Sequence, residues 1–458
     1  MLLIIKERKE LLAVMKNKLI ILVVSLVMIL SFSFPAFAID GTAADPDYGP
    51  NAKAAISEFG IDENCVEIAS KNDTVSTLNE MIMGIAPDAS ESNPGMIYVP
   101  EGTFNVSSTL KVLPNVVLVS ESGVVFKSTS SANMVKLSGS VYGGVFDKQS
   151  RTGNIILYDN ITFKGKNGIV KKTNLKNTNL TALQINGAAR NAKVLNNTIS
   201  NCKKNGISSY RAGHFAAISG NKISNIGKGG GGSGIDIVQS DVSEISNNTI
   251  SSCKGHGIST DTETFGIAKK SVVLGKVTGN KISNTNHHGI WLEKGSKITG
   301  GLDNNTISNA TSNDLGLDKN TSVNIMNGNT FTSAKHALVM VSAKKSVINV
   351  GSNNIFKNGK AAGIAIGKKG RVTIKGSNNL ITRNKKNGIQ IDKYGVLVIT
   401  GKTTITKNRW GINMMKKGRA TIKNCIIKSN KKGAVYYIKG AKFKKSKCKV
   451  KGKIYKQK

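Results

Sequence analysis

Cysteine is scarce in this chain, with five among 458 residues. The odd number excludes a structure in which every cysteine is paired within one chain. Cys202 and Cys253 occupy the same place in two related segments with one whole segment between them, so a separation of about 9 to 10 Å excludes a disulfide and predicts small buried side chains. Cys425 and Cys448 are about one segment apart, and stacked neighbours would bring this pair within bonding distance.

Acidic residues are also few: 27 Asp and Glu stand against 65 Lys and Arg, for a formal net charge of +38. After Asp318 the chain contains a single carboxylate, Asp392. The C-terminal part therefore has almost no candidates for acid–base catalysis by carboxylates, whereas about residues 205–320 combine acids, histidines and longer connections. A charge this far from zero indicates a polyanionic partner: nucleic acid, an acidic polysaccharide, or an anionic wall or membrane surface.

Long hydrophobic runs are absent apart from one near the amino terminus. After Met15, a Lys-Asn-Lys stretch precedes "LIILVVSLVMILSFSF", which is followed by Pro35 and the small residues "AFA" at 36–38. This order predicts a secretory signal peptide over residues 1–38, starting at Met1 or Met15; a membrane anchor is the alternative that the length allows. We therefore expect a secreted protein, extracellular or cell-wall associated, with no membrane span after cleavage and no nucleic-acid partner.

A short repeat, without helical periodicity, begins at residue 197. Segments such as "NTISNCKKNGISS", "NTISSCKGHGIST" and "NLITRNKKNGIQI" recur mostly every 24 or 25 residues. Each contains three brief apolar–polar alternations, which are typical of strands. A unit this short cannot bury its own apolar face, so it must stack on copies of itself.

A leading asparagine opens one strand of nearly every repeat. If stacked repeats lie about 4.8 Å apart, as paired strands do, these amides hydrogen-bond from one coil to the next, and we expect them to be structural. The predicted ladder comprises Asn197, Asn221, Asn248, Asn280, Asn305, Asn329, Asn354, Asn379 and Asn424, with Thr403 as the one substitute.

The repeat predicts an all-β fold, a right-handed single-stranded parallel β-helix with about three strands per coil. Over about residues 96–440 the chain resembles the pectate lyase superfamily, and "MIYVPEGTFNVSSTLKVLPNVVLVSESGVVFK" at 96–127 is similar to the entry coil of that superfamily. The resemblance implies the fold but not one chemistry, because this scaffold carries lyases, hydrolases, epimerases and adhesins.

Two flanking segments complete the predicted organisation. Within an N-terminal segment at 39–95, "NDTVSTLNEMIMGI" has apolar residues at helical spacing and Asp73 or Thr77 as a cap, which predicts a short helix over the open end of the stack. A lysine-rich tail at 441–458 would discourage edge-to-edge pairing and bind a polyanion. We expect a monomer.

The strand "Gly-Ile-x-Ile" supplies the candidate binding surface, because the resemblance implies that this strand floors a saccharide groove. Trp291 on its outward side would stack on a pyranose ring. Asp261, Glu293 and Asp318 would hold Ca²⁺ between the protein and uronate carboxylates, and calcium is the one cofactor considered. The alternative interpretation is that these acids are polar because they face water.

Histidines precede two of these glycines in adjacent coils. Two short motifs are similar to those of polygalacturonases: "SGIDIVQS" contains Asp236, and "GHGIS" contains His256 between two glycines. The acids, the paired-Asp motif and the basic motif that hydrolysis requires have no counterpart, so polygalacturonase-type hydrolysis is not expected. The residues before successive glycines are predicted to be Asn205, Ser233, His256, His288, Leu315, His336, Ala362, Asn387 and Trp410.

β-Elimination from a uronic acid makes different demands: a base for the C5 proton, a cation at the uronate and a proton donor for the leaving oxygen. The candidate catalytic residues are His256, His288, Asp236 and Tyr210. The candidate substrate-binding residues are Trp291, Lys294, Arg211 and His214. The leading hypothesis is a polysaccharide lyase or uronate epimerase.

The alternative is a non-catalytic surface or wall-associated protein that binds a polyanion or glycan. In that case the histidine column is packing, and the basic C-terminal coils and tail hold the ligand.

Overall fold

The computed structural model describes residues 47–457 apart from 188, 212 and 263–270. The predicted signal peptide at 1–38 lies outside the described residues. Within the described part, no helix has the length and apolar character needed to cross a bilayer.

Two helices precede most of the strands. Helix α1, Pro50–Phe59, begins with proline in its first turn and ends at Gly60 with φ 63°, a left-handed conformation that glycine adopts without steric cost. Helix α2, Val75–Ile85, buries an apolar stripe that includes Leu78 and Ile82. This is the helix that the sequence predicts, although its cap is Thr74, whose hydroxyl accepts the Thr77 N–H at 3.2 Å. Helix α2 packs on the first coil and extends its core.

The remaining chain coils through three parallel sheets, as predicted. Two long strands, Val116–Ser128 and Ser140–Arg151, run through both sheet 1 and sheet 2. The other strands of sheet 1 are Val66–Ile68, Gly95–Val99, Ile169–Lys171, Ala192–Leu195, His214–Ser219, Asp241–Ser246, Val273–Thr278, Lys297–Asp303, Ser322–Asn327, Val347–Val350, Arg371–Ile374, Val396–Ile399, Arg419–Lys423 and Lys442–Ser446.

Sheets 2 and 3 follow in each coil after sheet 1. The other strands of sheet 2 are Thr103–Val106, Asn174–Thr178, Thr198–Cys202, Lys222–Ile226, Thr249–Cys253, Lys281–Ser283, Thr306–Ser308, Thr330–Thr332, Ile355–Lys357, Asn379–Thr382, Thr403–Thr406, Cys425–Lys428 and Lys449–Val450. The strands of sheet 3 are Leu110–Val112, Val135–Leu137, Ile156–Tyr158, Leu183–Asn186, Ile207–Tyr210, Ile235–Val238, Ile258–Asp261, Ile290–Leu292, Leu315–Leu317, Val339–Val341, Ile364–Ile366, Ile389–Ile391, Trp410–Met414, Gly433–Tyr437 and Ile454–Lys456.

The register places identical side chains in columns. Ile199, Ile223 and Ile250 pair in adjacent strands of sheet 2 and are buried, and Phe331 stacks on Phe356 with ring centroids 5.4 Å apart. Inward Ile, Val and Leu side chains from all three sheets form one continuous core along the stack. Alternation along each short strand places the apolar side chains inward and the polar ones outward. The repeat period then determines which residues pair from one coil to the next.

The asparagine ladder forms inside the corner between sheets 1 and 2. The Asn197 Nδ2 donates to Asn221 Oδ1 at 3.0 Å, and the same contact continues at 2.9 to 3.0 Å as far as Asn379. The residue before each ladder position has a positive φ, which asparagine and glycine tolerate; Asn196, with φ 56°, is an example. The ladder residues are therefore buried and structural, as predicted.

Asn424 is the exception to the predicted ladder. Its φ is 58° and its side chain is exposed, because it occupies the left-handed corner position that precedes the ladder. Cys425 pairs with Thr403 and fills the ladder position instead. A second ladder, which the sequence analysis did not identify, connects Asn384 Nδ2 to Asn408 Oδ1 and Asn408 Nδ2 to Asn430 Oδ1, both at 3.0 Å.

The cysteines follow the columns as well. Cys202 and Cys253 are buried with Ile226 in register between them, which agrees with their interpretation as core fillers. Cys425 begins a strand of sheet 2, and Cys448 immediately precedes the strand that pairs with it. The Cys425 N–H donates to Cys448 Sγ at 3.4 Å, and both thiols are free.

The stack continues beyond residue 440. The strands Lys442–Ser446, Lys449–Val450 and Ile454–Lys456 pair with the preceding coil, so most of the segment predicted as a tail is a further coil.

Candidate functional site

On the outer face of sheet 3, equivalent side chains of successive coils form a column. This outer column comprises Ser208, Asp236, Ser259, Trp291, Gly316, Met340, Ala365, Gln390, Asn413, Tyr436 and Tyr455. Its character changes along the stack from polar, through a single tryptophan, to uncharged small and amide side chains. The only carboxylate in the column is that of Asp236.

Three aromatic rings gather where the column reaches Trp291. The ring of His288 stacks on Trp291 at 4.5 Å between centroids and 16° between planes, and on His256 at 5.3 Å and 4°. His256 and Trp291 are 6.2 Å apart at 14°. All three side chains are partly exposed. We refer to His256, His288 and Trp291 as the histidine–tryptophan stack.

Backbone hydrogen bonds fix the proton on each histidine of the stack. The His288 N–H donates to His256 Nδ1 at 3.2 Å, and the Asn313 N–H donates to His288 Nδ1 at 3.4 Å. Because an amide N–H can only donate, both Nδ1 atoms are unprotonated acceptors, and the neutral rings carry their proton on Nε2. The rings therefore offer Nε2–H donors towards a ligand.

Burial and neighbouring charges keep these rings neutral. Burial, followed by repulsion from His288 and His287, lowers the pKa of His256 to about 3. Burial, followed by repulsion from His287, lowers the pKa of His288 to about 4. Neither histidine is an imidazolium near neutral pH, so neither acts as a cationic acid. Protonation of either Nδ1 would also break its hydrogen bond with the backbone.

Asp236 lies on sheet 3 in register with Ser259, one coil before His256. Its Oδ1 accepts the Ser259 hydroxyl at 2.6 Å, and its Oδ2 accepts Asn205 Nδ2 at 3.0 Å. Burial raises the pKa of Asp236 to about 6, Asp261 adds to the rise, and the hydrogen bonds from Ser259 and Asn205 oppose it. A carboxyl that is partly exposed and titrates near pH 6 is suited to proton transfer.

A chain of hydroxyls connects Asp236 to the histidine column. Ser259 Oγ lies 3.0 Å from Ser233 Oγ, which accepts the His256 N–H at 3.3 Å. Ser233, Ser259, Asn205 and Asn313 were not identified as site residues from the sequence. Counting columns would have found them, since Asn205, Ser233 and Ser259 adjoin Asp236 or His256, and Asn313 adjoins His288.

The register corrects the predicted histidine column. Asn313 and Ala337, rather than Leu315 and His336, follow His288, as the hydrogen bonds of Gly289 N–H to Asn313 O and of His336 N–H to Ser312 O show. The error arose because two successive repeats lack the glycine that marks the register: Leu338 replaces it in the second and Asp314 in the first. Its carboxyl is buried in the core, where no group makes a regular hydrogen bond to it, and burial raises its pKa well above the ordinary value.

Tyr210, Arg211 and His214 are the predicted residues that separate from the stack. Tyr210 lies on sheet 3 in register with Val238, one column away from Asp236, and the Arg211 guanidinium lies 5.1 Å from the Tyr210 ring. His214 begins a strand of sheet 1, where its Nε2 is 3.0 Å from Ser243 Oγ. His214 therefore belongs to a neighbouring face rather than to the same surface.

The acids proposed as calcium ligands, Asp261, Glu293 and Asp318, come from three successive coils. Over the part of the chain that the structure describes, no three His, Cys, Asp or Glu side chains are arranged to hold a metal ion. Glu293 instead accepts the Thr262 N–H through Oε2 at 2.9 Å. Lys294 is exposed at the corner beside it, and Asp261 and Asp318 are partly exposed in neighbouring coils.

The proteins that this chain resembles share its β-helix fold. A family model described as a right-handed β-helix region matches residues 159–316 and 233–408, together more than half of the chain. The Dettilon tailspike protein is similar in structure, with 17% identity, TM-score 0.44 and coverage of 64% of this chain and 67% of that chain. No curated protein matches this sequence.

Two epimerases are also similar in structure. The A-module of a mannuronan C-5 epimerase from Azotobacter vinelandii has 12% identity, TM-score 0.43 and coverage of 88% of this chain and 97% of that chain. A periplasmic alginate epimerase has 11% identity, TM-score 0.44 and coverage of 89% and 99%.

Proposed function

Since the chain belongs to the right-handed β-helix family, we propose that it is an exported protein that binds an acidic polysaccharide across sheet 3. The observation that carries the proposal is the histidine–tryptophan stack on the solvent side of that sheet. A partly exposed indole packs against the apolar C–H face of a pyranose, and Nε2–H groups beside it donate to sugar oxygens. The formal net charge of +38 favours an anionic polymer.

We further propose that the protein acts on this polymer by β-elimination, with Asp236 as the base. The carboxylate would take the C5 proton of a uronate, the C4–O bond would break, and a C4=C5 double bond would form while the leaving oxygen takes a proton from solvent water. The raised pKa of Asp236, about 6, leaves the group largely ionised at neutral pH and basic enough to accept the proton. Reprotonation at C5 without loss of the leaving group would give an epimerase instead.

The direct test is the ultraviolet absorbance of unsaturated uronates after incubation with pectate, alginate and glycosaminoglycans, each with and without Ca²⁺. We expect product from the native protein and from Asp392→Asn, a matched acid-to-amide change on the same sheet. We expect none from Asp236→Asn. Proton exchange at C5 without absorbance would identify an epimerase. No reaction on any polymer would contradict the catalytic proposal.

Non-catalytic binding is the second candidate function. The observation that favours it is the engagement of both histidine Nδ1 atoms by the backbone, which is what packing residues require. This candidate predicts that Trp291→Ala weakens polysaccharide binding while the native protein shows no turnover. If Trp291→Ala bound the polysaccharide as well as the native protein does, the histidine–tryptophan stack would have no role in either candidate function.

A further inference from the structure

A row of lysines follows the corner between sheets 3 and 1. In seven successive coils the residue immediately before the left-handed corner position is lysine, and the φ values at those corners lie between 60° and 84°. The row comprises Lys294, Lys319, Lys344, Lys368, Lys393, Lys416 and Lys439. Because the backbone conformation is the same at each corner, the seven lysines occupy equivalent positions in their coils. We refer to these seven residues as the lysine row.

The coil spacing sets the charge spacing of the row. Adjacent coils are about 4.8 Å apart, so seven lysines extend over about 29 Å. All seven are exposed. Within the described chain, none of the six from Lys319 to Lys439 lies within ion-pair distance of a carboxylate. Like charges at this spacing repel each other, and a polyanion lying along the row would relieve that repulsion and release its own counterions.

The opposite edge of sheet 3 is basic as well. The corner between sheets 2 and 3 exposes Lys335, Lys360, Lys385 and Lys431 in the same coils. Lys360 N–H bonds to Ala334 O and Lys385 N–H bonds to Gly359 O, so these residues also recur in register. Basic side chains therefore border both sides of the C-terminal half of sheet 3.

The floor between these edges is uncharged along the outer column. Met340 packs with the nearly buried Ala337, Ala362 and Ala365, which makes a flat apolar strip. Gln390 and Asn413 follow the strip in the outer column, and beyond them the Tyr436 ring lies 5.4 Å from those of both Trp410 and Tyr455. A flat floor with basic edges and a terminal aromatic group suits an extended sugar chain that presents carboxylates to both sides.

We propose that this C-terminal half of sheet 3 binds a linear polyuronate whose chain runs parallel to the stacking axis, with carboxylates facing the lysine row on one edge and the lysines of the opposite edge on the other. An extended pyranose chain with one carboxylate per sugar advances by a distance close to one coil rise. The phosphates of a B-DNA strand advance by about 3.4 Å and wind around an axis, which fits a straight row poorly. The inference rests on the proposed function for the class of polymer, and the surface continues the outer column beyond the histidine–tryptophan stack.

The test compares two triple variants with the same change in charge. Lys368→Gln, Lys393→Gln and Lys416→Gln together remove the middle of the row. Lys375→Gln, Lys402→Gln and Lys423→Gln remove three exposed lysines elsewhere in the C-terminal coils. Binding of polygalacturonate oligomers is measured between about 50 and 200 mM salt. We expect the row variant to lose about tenfold in affinity with a shallower salt dependence, and the control to stay within about twofold of the native protein.

Three outcomes overturn the inference: equal losses in both triple variants, equal affinity for a fully methyl-esterified polymer, or tighter binding of DNA or of a polyphosphate than of polyuronate. Binding that strengthens with oligomer length up to about seven sugars supports it. Failure of the proposed function is distinguishable, because Trp291→Ala and Asp236→Asn leave the lysine row intact. Binding that depends on the lysine row without any turnover would contradict the catalytic proposal alone. Turnover by the native protein together with a fully active row variant would contradict this inference alone.

Discussion

The imidazole of His288 lies parallel to the indole of Trp291, with 4.5 Å between the ring centroids and 16° between the planes. Both rings extend towards Gly316 of the next coil. A Cβ added at Gly316 would lie 2.8 Å from His288 Nδ1 and 2.8 Å from Trp291 Cε3. The stack therefore exists because the following coil has no side chain at that point.

Gly316→Ala is expected to displace the two rings. The crowding would cost about 1 to 3 kcal/mol of stability and would change the near-ultraviolet circular dichroism of Trp291, with a loss of polysaccharide affinity. Gly123→Ala is the matched control, since an added Cβ there meets no atom within 4 Å. Native-like circular dichroism and affinity for Gly316→Ala would show that the stack has no need of this glycine.

The two histidines of the stack are expected to remain neutral, with the proton on Nε2, down to about pH 5. Their folded-state pKa values, about 3 and about 4, lie below the ordinary 6.5. The unfolded chain therefore binds more protons as pH falls below 6.5, and both histidines destabilise the fold through that window.

Nitrogen chemical shifts of ¹⁵N-labelled histidine between pH 5 and 7.5 test this tautomer assignment directly. His336, which is exposed outside the column, serves as an internal comparison. Imidazolium signals from His256 or His288 near pH 6, or a proton on Nδ1, would contradict the hydrogen bonds from the His288 and Asn313 amides.

Asp236→Asn is expected to change stability in the opposite sense with pH. The folded-state pKa of about 6 lies above the ordinary 3.8, so between these values the folded protein binds more protons and stability falls as pH rises. Replacing the carboxyl removes this loss. The variant should gain at most about 3 kcal/mol relative to the native protein above pH 6 and nothing below pH 4.

Thermal unfolding at pH 4 and pH 7 measures this difference. Asp392→Asn is the control for removal of one negative charge from a cationic chain. A stability difference for Asp236→Asn that is the same at both pH values would show that the carboxyl is not perturbed.

Asn280→Ala is expected to destabilise the middle of the stack by about 3 kcal/mol. The substitution leaves the buried Asn248 backbone N–H without its acceptor, and an unsatisfied buried group costs about 1 to 3 kcal/mol. It also removes the hydrogen bonds that link the Asn280 side chain to Asn248 Nδ2 and to Asn305 Oδ1. Asn424→Gly, at an exposed left-handed corner, should change stability by less than about 0.5 kcal/mol. Denaturant unfolding compares the two, and equal effects would mean that the ladder does not stabilise the coils.

Periodicity alone was enough to predict the ladder from Asn197 to Asn379. It failed at Asn424, because two consecutive corner positions both accept asparagine: one for its tolerance of positive φ and the next for its buried amide. The sequence cannot distinguish these positions when only one of them carries asparagine. The backbone conformation distinguishes them at once.

The candidate site was predictable only in part. Adjacent coils brought His256 and His288 together as expected, since one repeat separates them. The next column member was wrong, because Asp314 replaces the glycine that marks the register. His214 was placed in the groove on nearness in sequence, although the corner after Tyr210 carries it onto sheet 1.

The sequence by itself determined that this chain stacks, because a 24- or 25-residue unit with alternating Ile and Val buries its apolar face only against its own copies. It also determined which residues recur and where positive charge accumulates. The tertiary structure decided which atoms face one another. Burial, the direction of a backbone N–H and the approach of the next coil set the tautomers of His256 and His288 and the pKa of Asp236, and these depend on contacts between residues distant in the chain.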